Sequence, residues 1–100
     1  MPAYVVVEVA GVTDPERYGR YQAAAGPSLA QAGGRLVWVG RNGQALEGDW
    51  SASAVAVLEF PSAEAARGWY AGEAYQAAKP LRAGAATVRM TLMEEPPAPA

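Results

Sequence analysis

Residues 54–70, AVAVLEFPSAEAARGWY, hold the change of period that decides the fold. Val55, Val57 and Glu59 alternate with Ala56, Leu58 and Phe60, the two-residue period of a β-strand spanning residues 54–60. Pro61 stops that strand, Ser62 is placed as a helix cap, and residues 63–70 read as the helix it starts. Upstream, residues 35–40 (RLVWVG) form a second strand, with Leu36 and Trp38 on one side and Val37 and Val39 on the other. Asn42-Gly43 marks a turn, and residues 44–50 (QALEGDW) a short extended piece with a turn at Gly48-Asp49. Downstream, Gly72 interrupts the helix, residues 73–82 resume it with Pro80 kinking or restarting it, and residues 87–93 (TVRMTLM) alternate as another strand.

The N-terminal part supplies the matching half. Residues 3–9 (AYVVVEV) alternate as a strand. Thr13-Asp14-Pro15-Glu16 starts a helix, either with Asp14 as cap before Pro15 or with Thr13 and Glu16 as a capping box. That helix carries Tyr18 and Tyr21, is expected to break or kink at Gly26-Pro27, and ends at Gly33-Gly34. The order is β-α-β-β-α-β, the pattern of a ferredoxin-like α+β fold with an antiparallel-rich four-stranded sheet and helices on one face. The strand crossovers are expected to set the first and third strands side by side and parallel, with the fourth antiparallel to the first. Residues 3–93 form one domain, and residues 94–100 (EEPPAPA) are a Pro-rich tail with nothing to bury, expected to be disordered.

The two sheet faces differ. Val5, Val7, Val9, Ala56, Leu58, Phe60, Val88, Met90 and Leu92 make the apolar face that the helices cover. The opposite face carries Tyr4, Val6, Glu8, Val55, Val57, Glu59, Thr87, Arg89 and Thr91, apolar at its middle. An apolar centre of this kind points to packing against a second sheet, and so to a homodimer.

Composition removes several classes of function. With no cysteine and no histidine among 100 residues, the chain has no disulfide, thiolate zinc site, cysteine nucleophile or imidazole base. It carries no phosphate-binding loop or metal-ligand spacing, so no cofactor and no metal are expected. Eight Lys+Arg against ten Asp+Glu argue against nucleic acid, and no apolar run approaches the ~20 residues of a membrane span. Met1-Pro2-Ala3-Tyr4 lacks the features of a secretory signal, so the expectation is a cytoplasmic domain.

Thr13–Glu16 with Tyr18 and Tyr21, Gly33-Gly34-Arg35, Leu46–Trp50 followed by Val57–Ser62, and Glu64–Arg67 through Trp69-Tyr70 to Tyr75-Gln76 and Arg82 together resemble a known family. The chain is similar, over residues 3–93, to the domain-of-unknown-function family 1330 of the dimeric α+β barrel superfamily. The resemblance implies a subunit whose sheet packs on a partner's sheet, and it assigns no activity. The chain departs from the family pattern at Val39 and Ala54, where basic residues are common, and at Glu73-Ala74 before Tyr75. Arg41, two residues on, stands in for the first of these.

Candidate ligand-binding residues are Tyr18, Tyr21, Arg35, Trp50, Tyr70 and Arg82, and no catalytic residue is assigned. The tyrosines, with Trp69 and Tyr75, are either core and rim aromatics or the wall of a small-molecule pocket between helices and sheet. Arg35 either pins its strand to a helix end or to Asp49 or Glu47, or, like Arg82, holds a substrate carboxylate in the two-pronged manner of a guanidinium. Glu8 and Glu59, expected near each other with Arg89 across from Glu8, form either a proton-sharing carboxylate pair or a charge cluster at the barrel rim. The function expected is a homodimeric protein binding a small metabolite. The alternative is a cofactor-independent monooxygenase- or isomerase-like enzyme, of the kind found elsewhere in the superfamily.

Overall fold

Asp14 caps the first helix, its Oδ1 accepting a hydrogen bond from the backbone N–H of Arg17 at 3.1 Å. Thr13 turns away from the helix and donates instead to the carbonyls of Gly84 and Ala85, so the capping-box alternative is not used. The computed structural model describes residues 1–95, in the order β1 (Ala3–Val12), α1 (Pro15–Gln31), β2 (Arg35–Arg41), β3 (Ala54–Phe60), α2 (Ala63–Ala71), α3 (Glu73–Ala78) and β4 (Ala86–Glu94). A 3-10 turn, Lys79–Arg82, carries α3 toward β4, with Pro80 restarting the chain there. Ser62 caps α2 through the N–H of Ala65. Glu94 belongs to β4, paired with Ala3, and Glu95 donates its N–H to the Pro2 carbonyl. The rest of the expected tail, residues 96–100, lies outside the described residues.

The four strands form one sheet in the order β2-β3-β1-β4, and every neighbouring pair is antiparallel. The expectation that the first and third strands run parallel is therefore corrected. The crossover through α1 makes β2 parallel to β1, the loop over residues 42–53 reverses the chain, and β3 inserts between them pointing the other way. A second correction concerns β2. Leu36 faces Leu58 and Trp38 faces Val57, so Val37 is an inserted bulge residue and strict alternation fails. Leu36 and Val39 end on the helix side, while Arg35 and Trp38 face the open side.

The helix-side pattern read from the sequence holds elsewhere. Val5, Val7, Val9, Leu58 and Phe60 are buried, with Val88, Met90 and Leu92 packed against them. Trp69 of α2 stacks between Phe60 (ring centroids 5.3 Å) and Tyr75 (4.5 Å) and donates its indole N–H to Ser28 Oγ. Ser28 in turn donates to the Ala25 carbonyl, which secures the last turns of α1. The helix accordingly runs unbroken through Pro27, although proline withholds one N–H from its ladder.

At the end of α1 the chain passes close over the core. A Cβ on Gly34 would lie 2.6 Å from Leu29 Cδ1 and 2.7 Å from Phe60 Cε1. Gly34→Ala is expected to cost about 1–3 kcal/mol through overpacking, read as a lower urea midpoint at unchanged m. The helix layer stops short of β2, where Leu36 and Val39 remain 53% and 44% exposed. That shortfall leaves a groove open between α1 and the sheet.

Candidate functional site

Two grooves open between the helices and the sheet, one on each side of Trp69 and Met90. The larger, about 900 Å³, lies between α1 and the strands β1, β3 and β2. Tyr18 and Tyr21 come to it from one face of α1, and Leu36, Val39 and Ala54 from the sheet. Among the described residues, Arg41 is the one charged side chain lining it, so the two-residue shift from Val39 keeps a cation at this groove. The smaller, about 480 Å³, lies between α2 and β4 and takes Tyr70 and Arg82 together with Arg67 and Lys79.

Between the two grooves sits a buried phenol pair. Tyr21 and Tyr75 hydroxyls are 2.9 Å apart, Tyr75 donates to Met90 Sδ at 3.7 Å, and Arg82 Nη2 donates to Tyr75 Oη at 3.5 Å. Either hydroxyl of the pair can donate to the other, Tyr75 having the Met90 sulfur as an alternative acceptor. The Arg82 guanidinium lies 5.3 Å from the centre of the Tyr21 ring, a cation–π contact. Its Nε–H is buried with no partner among the described residues, a state that costs about 1–3 kcal/mol. Burial works against the charge of Arg82, but hydrogen bonding and attraction to the two phenols outweigh it and keep the guanidinium protonated.

Burial pushes the Tyr21 phenol well above its ordinary range, and the hydrogen bond with Tyr75 adds to this, while Arg82 opposes it. Burial also raises Tyr18. Because the unfolded Tyr21 releases its proton first, above about pH 10, the folded state binds more protons there. Its contribution to stability is complete below that pH and is lost as the pH climbs, at about 1.4 kcal/mol per pH unit for this group. Urea midpoints measured between pH 8 and 11 are expected to fall above pH 10, and Tyr21→Phe to flatten the decline. An unchanged slope in that variant would remove Tyr21 as the cause.

Other sequence candidates lie on the open face, away from both grooves. Arg35 pairs with Glu59 (Nε to Oε1 2.8 Å, Nη2 to Oε1 2.7 Å), and Tyr4 donates to the other Glu59 oxygen at 3.1 Å. That hydrogen bond raises the Tyr4 phenol. Trp50 also sits on this face, its indole lying against Gly43. It lines a small depression of about 240 Å³ with Glu8, Asp49 and Arg89, so the structure does not bring it to the helix-side tyrosines. Glu8 lies opposite Arg89 as expected, but Glu59 is opposite Tyr4, four positions along the antiparallel strand and roughly 13 Å away. The expected carboxylate pair is therefore not formed, and the reversed direction of β3 is the reason. No group of three acidic side chains able to hold a metal occurs among the described residues.

Tyr75, expected as a core, rim or pocket-wall aromatic, proves to be core, and two cations of the smaller groove, Arg67 and Lys79, were not among the expected site residues. Tyr75 is fully buried at the centre of the cluster, and Arg67 and Lys79 flank Tyr70, with Lys79 Nζ donating to its hydroxyl at 2.8 Å. Lys79 and Arg67 carry no distinguishing signal in the sequence, because surface cations on helices are common.

The sequence matches the family described as domain of unknown function (DUF1330) over residues 2–96, and the chain belongs to that family. Among solved structures, a protein of unknown function from Rhodopseudomonas palustris is 26% identical, with a TM-score of 0.74 over 95% of this chain and 82% of that one. A dimeric ferredoxin-like protein of unknown function from Jannaschia sp. CCS1 is 13% identical, with a TM-score of 0.69 over 95% of this chain and all of that one. SnoaB, a cofactor-independent oxygenase from Streptomyces nogalater, is 17% identical, with a TM-score of 0.67 over 95% and 93% of the two chains. These last two likenesses are of fold. No curated protein matches the chain. No helix among the described residues is long and apolar enough to cross a membrane.

Proposed function

We propose that this chain forms a homodimer through its open sheet face, and that each subunit binds a small, mainly apolar organic molecule in the larger groove. The observation that carries the binding reading is the groove itself. Its volume of about 900 Å³ falls in the range of small-molecule sites, its walls are apolar, and Tyr18 and Tyr21 supply polar atoms from one side. The dimeric ferredoxin-like neighbour supports the dimer, as do the half-buried Val6, Val55 and Val57 on the open face.

A thermal-shift screen of small organic compounds tests the binding site. A compound bound in the larger groove is expected to raise Tm in the native protein and not in Val39→Trp, whose indole would fill the mouth from an exposed edge position. Val39 is 44% exposed, so that variant is expected to fold. A shift that survives Val39→Trp overturns the placement.

The second reading is a cofactor-independent enzyme acting in the same groove, favoured by the fold likeness to SnoaB. Among the described residues the groove has no carboxylate, and the chain has no histidine, to serve as a base. Tyr21, held protonated, is a donor at neutral pH. Turnover would therefore require a substrate that is already ionised when it arrives, with Tyr21 steadying the charge that develops. Binding of neutral compounds without reaction is the outcome that favours the module over the enzyme.

A further inference from the structure

We propose that the smaller groove, between α2 and β4, is a second binding site whose ligand is a small organic anion, a carboxylate carried on an apolar tail. This does not rest on occupancy of the larger groove. Three of the chain's eight cationic side chains, Arg67, Lys79 and Arg82, converge on this one depression, in a molecule whose net charge is −2. Beneath them the floor is apolar, built by Val88, Met90 and Leu92 of β4.

Each cation retains donor capacity. Lys79 Nζ gives one hydrogen bond, to Tyr70 Oη, and has two protons left. Tyr70 accepts from Lys79, so its own proton is free to be donated. Arg82 has a buried Nε–H without a partner among the described residues and one long hydrogen bond, to Tyr75, beside its cation–π contact with Tyr21. Arg67 is engaged by Glu94, at 3.6 Å with both side chains about two-thirds exposed, a pairing weak enough to be exchanged. Among the described residues, Glu94 is the one carboxylate placed against these cations.

The arrangement selects for both parts of the ligand. An inorganic anion would gain the cations but leave the floor uncovered, and a neutral apolar molecule would cover the floor beside ammonium and guanidinium groups that still need water. A tail along Val88, Met90 and Leu92 with a carboxylate among Lys79, Tyr70 and the arginines satisfies both. Charge-assisted hydrogen bonds to the carboxylate then carry the discrimination.

Octanoate, octan-1-ol and acetate, titrated into the native protein and followed by amide chemical shifts, test the proposal. Octanoate is expected to bind about tenfold or more tightly than either of the others, the difference a charge-assisted hydrogen bond supplies. Its shifts should fall on residues 66–70, 79–82 and 88–92. Lys79→Gln is expected to weaken octanoate and leave octan-1-ol unchanged. Arg82→Gln should do the same, and because Arg82 also touches Tyr75, the Lys79 variant, at a partly exposed position, keeps the test valid if that protein fails to fold. Val39→Trp should leave octanoate binding intact, which separates this site from the larger groove. Equal binding of octanoate and octan-1-ol, shifts centred on Val39 and Arg41, or indifference to Lys79→Gln would each overturn the proposal.

Discussion

Phe60→Ala is expected to lose about 3–5 kcal/mol of folding stability, the range for removing a buried aromatic side chain. Phe60 closes β3 at 1% exposure, packs its ring 5.3 Å from Trp69, and lies directly under the chain at Gly34. Leu29, whose Cδ1 meets the same space over Gly34, can fill only part of the void. Gly34 has no side chain to offer, and Trp69 is tied by its indole hydrogen bond to Ser28 at 3.0 Å. For a domain of this size the loss is a large share of the ~5–15 kcal/mol usually available. Equilibrium urea denaturation of the native protein, Phe60→Leu and Phe60→Ala should give a graded series, with the leucine variant closer to native. A loss below about 1 kcal/mol for Phe60→Ala would mean that the site relaxes freely and that the stacked layer of Phe60, Trp69 and Tyr75 is not rigid.

That layer was readable in the sequence because its parts obey local rules. Val5, Val7 and Val9 alternate with Tyr4, Val6 and Glu8, and Ser62 stands where a cap belongs, so strand faces and helix starts follow from short-range spacing. The direction of β3 depends instead on how many times the chain reverses between strands. Spacing within a strand does not carry that count. The bulge at Val37 was hidden for a related reason: RLVWVG alternates well enough to read as regular, and only pairing with Leu58 and Val57 exposes the extra residue.

The candidate site divides along the same line. Tyr18, Tyr21, Tyr70 and Arg82 were legible as helix-borne aromatics and a guanidinium, and the structure puts all four on the helix side. It also separates them into two grooves, because Trp69 and Met90 fill the space between, a packing outcome no periodicity encodes. Trp50 belongs to the loop over residues 42–53, whose course over the open face is set by tertiary contacts such as the indole on Gly43. Glu59 shows what the direction of one strand decides. Once β3 runs antiparallel to β1, its partner becomes Tyr4 rather than a residue near Glu8, and its carboxylate is taken up by Arg35 and Tyr4.

Val57→Lys is expected to convert the proposed dimer to monomer at micromolar concentration, raising the dissociation constant by roughly a hundredfold or more. Val57 stands at the centre of the open face, paired with Val6 on one side and Trp38 on the other. Trp38 is 58% exposed in the single chain, an area too large and too apolar to leave in water without consequence. The charged groups of this face keep to its ends, Arg35 and Glu59 at one and Glu8 and Arg89 at the other, so a second sheet laid across it meets valines at the middle. A lysine at position 57 would be carried into that middle with no carboxylate opposite it. The nearest, Glu59, is already engaged by Arg35 at 2.7 Å. Leaving an ammonium unpaired there costs about 3 kcal/mol or more, and each 1.4 kcal/mol is about tenfold in affinity. In the single chain the side chain is half-exposed, so the fold should survive and the far-ultraviolet circular dichroism should match the native spectrum. Ala24→Lys, exposed on α1 on the other side of the sheet, is the control and should shift the equilibrium far less. Sedimentation equilibrium separates the outcomes. A native protein that is monomeric at micromolar concentration, or a Val57→Lys variant as dimeric as the native one, would remove the open face as the contact between copies.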